Sequence, residues 1–168
     1  GDGGVIRLWV NSKEVKDFQA ISPNFKGRVL NVGKLDRNGK TSEILVAGYT
    51  SSAGKGLISW HDLSTGGGVQ YKEITSGVSS IALTSDSSYT IAGLENGDIM
   101  VWDSKTYEQK LVIAKAHKDI VASLSLHPQG KFLASASKDT TIKLWRFQIT
   151  GDKPSLQALQ TATSHTIP

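Results

Sequence analysis

"AHKDIVASLSLHPQGKFLASASKDTTIKLW", residues 116 to 145, decides the fold. "IVASLSL" alternates small or polar residues with apolar ones, the period-two pattern of a strand with one buried face. "HPQGK" supplies Pro128 and Gly130 for a turn, and "FLASAS" returns as a second strand. "KDT" turns again, and "TIKLWRF" alternates into a third. Displaced by 43 residues, the same pattern recurs without a gap, "SIALTSDSSYTIAGLENGDIMVW" against "SLSLHPQGKFLASASKDTTIKLW".

The recurrence extends through the chain. The four tryptophans, Trp9, Trp60, Trp102 and Trp145, each close a similar phrase: "GVIRLWV", "GLISWHD", "GDIMVWD" and "TTIKLWR". The steps between them are 51, 42 and 43 residues. A period of about 40 to 45 residues with this ending marks a repeat of four strands per unit. Outer strands fit "EVKDFQA", "GVQYKEI", "YEQKLVI" and "SLQALQT". In the unit ending at Trp60 the inner strands are "RVLNVGKL" and "EILVAGY". Asn38-Gly39 between them is a strong hairpin signal, because both residues accept positive φ. No segment sustains a 3.6-residue period, so little helix is expected.

On these phrases the chain resembles the WD40-repeat family over essentially its whole length. The resemblance implies an all-β fold, a partial WD40 β-propeller of about three and a half four-stranded blades. The expected boundaries within this single domain, 1–168, are a partial blade at 1–20 and blades at 21–74, 75–113 and 114–161. Residues 162–168 then begin another repeat or form a tail. In the family a buried hydrogen-bond chain joins a His ahead of the innermost strand, a Ser or Thr in the second strand, an Asp in the next turn, and the Trp. The last unit fills all four roles with His117, Ser135, Asp139 and Trp145, a structural tetrad whose polar groups can satisfy one another. The unit before it has Ile74, Ala92 and Asn96 at those offsets, so only Trp102 remains and no such network is expected. The unit ending at Trp60 shows no matching His. For the unit ending at Trp9, Asp2 is the candidate turn acid.

"ILVAGYTSSAGKGLISW", residues 44 to 60, raises a different question, because a strand followed by a Gly-Lys turn suggests a phosphate-binding loop. Gly48 and Gly54 are spaced wrongly, Gly56 replaces the metal-binding hydroxyl, and a strand follows where a helix N-terminus is needed. The stretch reads instead as an enlarged connection between second and third strands.

Other chemistry is sparse. His61, His117, His127 and His165 are dispersed, with no metal-ligand spacing. No G-x-S-x-G elbow occurs, and the triad-like His117, Ser135 and Asp139 would lie buried with Trp145. The chain has no cysteine, 17 glycines and a formal charge of +4. That composition excludes disulfide frameworks and thiolate zinc sites. No apolar run approaches the roughly 18 residues of a bilayer span. No cofactor, metal, membrane partner or enzymatic activity is expected.

The resemblance implies a scaffold that binds proteins or peptides, in the cytoplasm or nucleus. By position the contacts would be Tyr49 and Lys55 in the enlarged loop, Glu95 and Lys138 before the blade turns, and Lys118 and Asp119 in the loop leading into the last blade. The alternative is an RNA- or DNA-associated subunit, motivated by Lys26, Arg28, Lys34, Arg37 and Lys40. An arc of blades leaves apolar faces open. A longer chain, another subunit or a second copy would close it, in that order of preference.

Overall fold

A computed structural model describes residues 6–10, 13–18, 24–64 and 69–163, with the side chains of 24–64 and 70–163. The readings at Asp2, at the Trp9 side chain and beyond residue 163 lie outside the described residues. Fourteen strands form four antiparallel sheets, with no helix among the described residues. β1 (Ile6–Val10) and β2 (Lys13–Phe18) make a two-stranded sheet. β3 (Phe25–Arg37), β4 (Lys40–Ser51), β5 (Gly56–Asp62) and β6 (Val69–Ile74) make the first four-stranded blade. The second holds β7 (Val78–Leu83), β8 (Tyr89–Leu94), β9 (Ile99–Asp103) and β10 (Gln109–Ile113). The third holds β11 (Val121–Leu126), β12 (Phe132–Ser137), β13 (Thr141–Thr150) and β14 (Lys153–Thr163). In each blade the strands pair in chain order, as short turns between consecutive antiparallel strands require.

The three blades share one turn between second and third strands. Their last paired residues are Thr50↔Gly56, Gly93↔Ile99 and Ala136↔Ile142. Each turn places one residue at positive φ: Gly54 at 75°, Gly97 at 88° and Thr140 at 68°. The loop after Gly48 is therefore not enlarged: Gly48, Tyr49 and Thr50 are ladder residues of β4. The added length lies at the other end of the blade. There β3 and β4 pair from Phe25↔Ser51 as far as Arg37↔Lys40, closing on Asn38 and Gly39 at φ 56° and 78°.

Stacking buries both faces of β4 and β8, the second strands of the first two blades. Along β4, Ile44 and Val46 point into one cluster, with Leu35, Ile58, Trp60, Val78, Ala92, Leu94 and Trp102. Leu45, Ala47 and Tyr49 alternate into another, with Phe25 and Leu57. β8 is buried at every residue. Its Tyr89 and Ile91 pack with Val121, Leu133, Trp145 and Phe147 of the third blade, while Ala92 and Leu94 face the first. Hydroxyls reinforce the contact, since Ser79 and Ser80 each donate to the Val121 carbonyl at 2.8 Å.

The blades approach too closely at Gly93 for any side chain. A Cβ there would lie 2.5 Å from Val121 Cγ1 and 2.4 Å from Ser80 Oγ. Gly93→Ala is expected to lower unfolding free energy by about 1–3 kcal/mol through overpacking, read as a fall in the urea midpoint.

Candidate functional site

His117, Ser135, Asp139 and Trp145 lie on a loop, a strand, a turn and a strand, and one hydrogen-bond chain joins them. Trp145 Nε1 donates to Ser135 Oγ at 2.8 Å, and Ser135 Oγ lies 2.7 Å from His117 Nε2. His117 Nδ1 lies 3.1 Å from Asp139 Oδ2. Only one proton arrangement fills every position. The indole donates to Ser135, Ser135 donates to a neutral imidazole, and Nδ1–H donates to the carboxylate. Burial holds the His117 imidazole below its ordinary pKa, although Asp139 opposes the shift. Burial would raise Asp139. It is outweighed by donation from the Thr141 hydroxyl, the Lys118 and Thr141 amides, and His117, which together hold the carboxyl well below the usual range. Ser135 is fully buried, so its hydroxyl cannot reach a substrate.

The middle blade secures its turn differently. Asn96 takes Ser76 Oγ through its amide N–H, and its side chain donates to Asp98. Asp98 in turn accepts from the Lys115 amide of the following loop.

Trp60 departs from Trp102 and Trp145. Counted from the shared turn, Ile99 and Ile142 lead three residues on to Trp102 and Trp145, whereas Gly56 leads to Ser59. Trp60 therefore sits one place late, and on a strand one place reverses the face. It points toward the second blade, not away from it. There its Nε1 donates to Thr90 Oγ1 at 2.9 Å, and Thr90 lies 2.8 Å from Ser104 Oγ. Its ring meets Trp102 edge-on at 6.3 Å and Tyr107 at 5.4 Å. Arg37 completes the junction, donating to the Tyr107 hydroxyl and the Ser104 carbonyl. Ser59 and His61 take the opposite face, 2.8 Å apart. His61 is buried near the end of β5, and burial pushes its pKa down to about 4. The Trp60 reversal had a trace in the sequence, a tryptophan step of 42 where the next is 43. The Arg37–Tyr107 contact had none.

Five of the six candidate contact residues lie along one edge. Lys55, Lys118, Asp119 and Lys138 are exposed there, and Glu95 is half-buried. Hydrogen bonds tie this edge from blade to blade. Thr50 Oγ1 donates to Glu95 and the His117 amide to the Gly97 carbonyl, while within the third blade the Lys138 amide donates to the Ile120 carbonyl. Tyr49 is the correction. It lies in β4 at 1% exposure, because ladder pairing with Leu57 turns it into the stack, so it is no exposed anchor. No group of three or more His, Asp or Glu residues that could hold a metal occurs among the described residues. No helix among them is long and apolar enough to cross a membrane.

Residues 69–103 and 108–146 match the family model for the WD domain, G-beta repeat. A p21-activated protein kinase-interacting protein 1-like of Xenopus laevis is 42% identical over 57 residues, 34% of this chain and 15% of that protein. The eukaryotic translation initiation factor 3 subunit I of Culex quinquefasciatus is 39% identical over 71 residues, 42% of this chain and 20% of that protein. The nuclear distribution protein nudF of Aspergillus terreus is 27% identical over 136 residues, 76% of this chain and 29% of that protein. The chain thus spans less than a third of the length of these relatives.

Buried neutral histidines make the fold acid-sensitive. The His61 pKa is about 4 in the folded chain against an ordinary 6.5, so the unfolded chain binds this proton more readily between those values. Stability should be full above pH 6.5 and fall as pH drops toward 4, with His61 contributing at most about 2 kcal/mol of loss by pH 5. Urea unfolding at pH 7.5 and 5 of the chain and of His61→Gln measures this, and the variant should show the smaller difference.

Proposed function

We propose, for a chain that belongs to the WD40-repeat family, the role of a non-catalytic interaction scaffold that presents one loop edge to partner proteins within a multiprotein complex. WD40 relatives are generally scaffolds in complexes, and the finer assignment rests on one observation. The edge carrying Lys55, Glu95, Lys118, Asp119 and Lys138 is tied from blade to blade by backbone and side-chain hydrogen bonds. A contact surface held in this way loses little conformational entropy when a partner binds. The hydroxyl, imidazole and carboxylate that could be mistaken for catalytic machinery are occupied with one another beneath it. A cytoplasmic or nuclear setting accords with this role.

The RNA- or DNA-associated reading has a narrower basis. Lys26, Arg28 and Lys34 are exposed along β3, and Lys40 is exposed on its hairpin, while Arg37 is committed to Tyr107 and Ser104. Nucleic-acid binding through these residues would weaken steeply with salt, whereas capture through the loop edge, which carries both signs of charge, would weaken less.

The double substitution Lys118→Glu, Lys138→Glu tests the favoured role. Both ammonium groups are exposed, so unfolding midpoints should stay within about 0.5 kcal/mol of the parent. Proteins co-purifying with the parent should fall about tenfold or more with the variant, since charge reversal at a contact costs over 1 kcal/mol. Unchanged capture would contradict the placement of the contact on this edge.

A further inference from the structure

The fourth strand of the third blade differs from those of the first two. β14 ends its sheet, so every second residue along it turns an N–H and a C=O away from β13. Among the described residues no backbone bond reaches those outward groups. The fourth strands of the first and second blades are 6 and 5 residues long, whereas β14 runs for 11. β6 carries Lys72 and Glu73 and β10 carries Lys110, charges of the kind that keep foreign strands off an exposed edge. β14 has Lys153 at its start and no charge from 154 to 163. Every residue from 157 to 163 is exposed. The contrast is sharpest at one equivalent place. Each ladder leaves out one residue beside the tryptophan: Lys110, between Trp102↔Gln109 and Val101↔Leu111, and Leu159, between Trp145↔Ala158 and Leu144↔Gln160. The Lys110 ammonium is held by Glu108 at 3.1 Å and by Asp152, in the turn before β14, at 3.4 Å. Leu159 is 41% exposed. Where the second blade guards its edge with a charge, the third presents a leucine.

We infer that β14 is a docking edge for an extended, uncharged segment of a partner protein, which adds to the third blade as a fifth strand. Backbone chemistry sets the class of occupant, because a row of outward N–H and C=O groups at strand spacing is matched by another extended backbone. The missing charge sets its composition. A charged side chain on the arriving segment would find no opposite charge between 154 and 163, whereas β-branched and apolar side chains would pack beside Leu159. A second copy of β14 fits less well. It would bring its own bulge, so the new ladder would be broken twice, while a straight segment meets one break. Pro154 has no N–H and sets the near end of the usable edge, which then takes a segment of about nine residues. Being an edge, it stays open whatever lies against the faces of the sheet, and none of the loop-edge contacts proposed above lies on it.

The probe is an end-blocked, fluorophore-labelled peptide of about nine alternating threonine and valine residues, titrated into the chain and read by fluorescence anisotropy. Main-chain bonds carry the affinity in this mode, so a generic strand should bind saturably, and the same peptide with proline at its centre should not. Hydrogen exchange should show protection gained at alternate amides between 155 and 163. Leu159→Lys, Thr161→Lys should weaken binding by about tenfold or more, the loss of one or two main-chain bonds, with the urea midpoint unchanged because both side chains are exposed. Gln157→Lys, at a second exposed place on the edge, should weaken it likewise. Lys118→Glu, Lys138→Glu should leave peptide binding as it is, which separates this surface from the loop edge. No saturable binding up to about 1 mM, equal binding of the proline peptide, or binding undiminished by the lysines on β14 would overturn the inference. A dimer of the chain without peptide, with those amides already protected and a monomer restored by Leu159→Lys, Thr161→Lys, would also overturn it, in favour of a second copy.

Discussion

The middle blade is stable because both of its faces press on apolar side chains of its neighbours, and a strand places side chains on its two faces strictly in alternation. That alternation governs the rest of the structure. The ladder pairing sends Ile44 and Val46 one way and Leu45, Ala47 and Tyr49 the other. β8 contributes Tyr89 and Ile91 to one junction and Ala92 and Leu94 to the next. Burying one such Leu or Ile side chain is worth about 1.5–3 kcal/mol, so an inter-blade face outweighs any single polar contact beside it. Polar groups within the junctions serve mainly to avoid the cost of going unpaired.

Two junctions solve that problem in different ways. Between the second and third blades the indole of Trp145 stays within its own sheet, and Ser135 passes its hydrogen bond on to His117 and Asp139. The outcome is a turn and a leading loop locked together, which fixes where Lys118 and Lys138 stand. Between the first and second blades Trp60 reaches across to Thr90, which is itself hydrogen-bonded to Ser104, while Arg37 and Tyr107 close the same seam from the outer side. The first arrangement organises a surface; the second joins one sheet to another. Both leave the loop edge ordered, as the proposed contact surface requires.

The repeat made much of this legible. β12 spans the stretch "FLASAS" that alternation identifies, and Asn38-Gly39 closes a hairpin with both φ values positive. The tetrad residues could be named because the last unit keeps every polar member. Tyr49 and Trp60 were harder for one shared reason. A phrase ending in Trp looks the same to the eye whether the step is 42 or 43, yet the difference of one residue exchanges core for opposite face. Placing Tyr49 in a loop assumed that extra residues near Gly48 enlarge the turn, whereas the ladder absorbs them. Arg37 and Tyr107 lie 70 positions apart and belong to no repeat phrase, so only the folded stack brings them together.

The most direct test of this stacked, parity-governed arrangement is a double-mutant cycle between Trp60 and Thr90, using Trp60→Phe and Thr90→Val in urea unfolding at neutral pH. Because the indole N–H and the threonine hydroxyl meet across two blades, their coupling should be about 1 kcal/mol. Coupling indistinguishable from zero, with both single variants folded, would mean that Trp60 does not face the second blade, and would contradict the register on which the account depends.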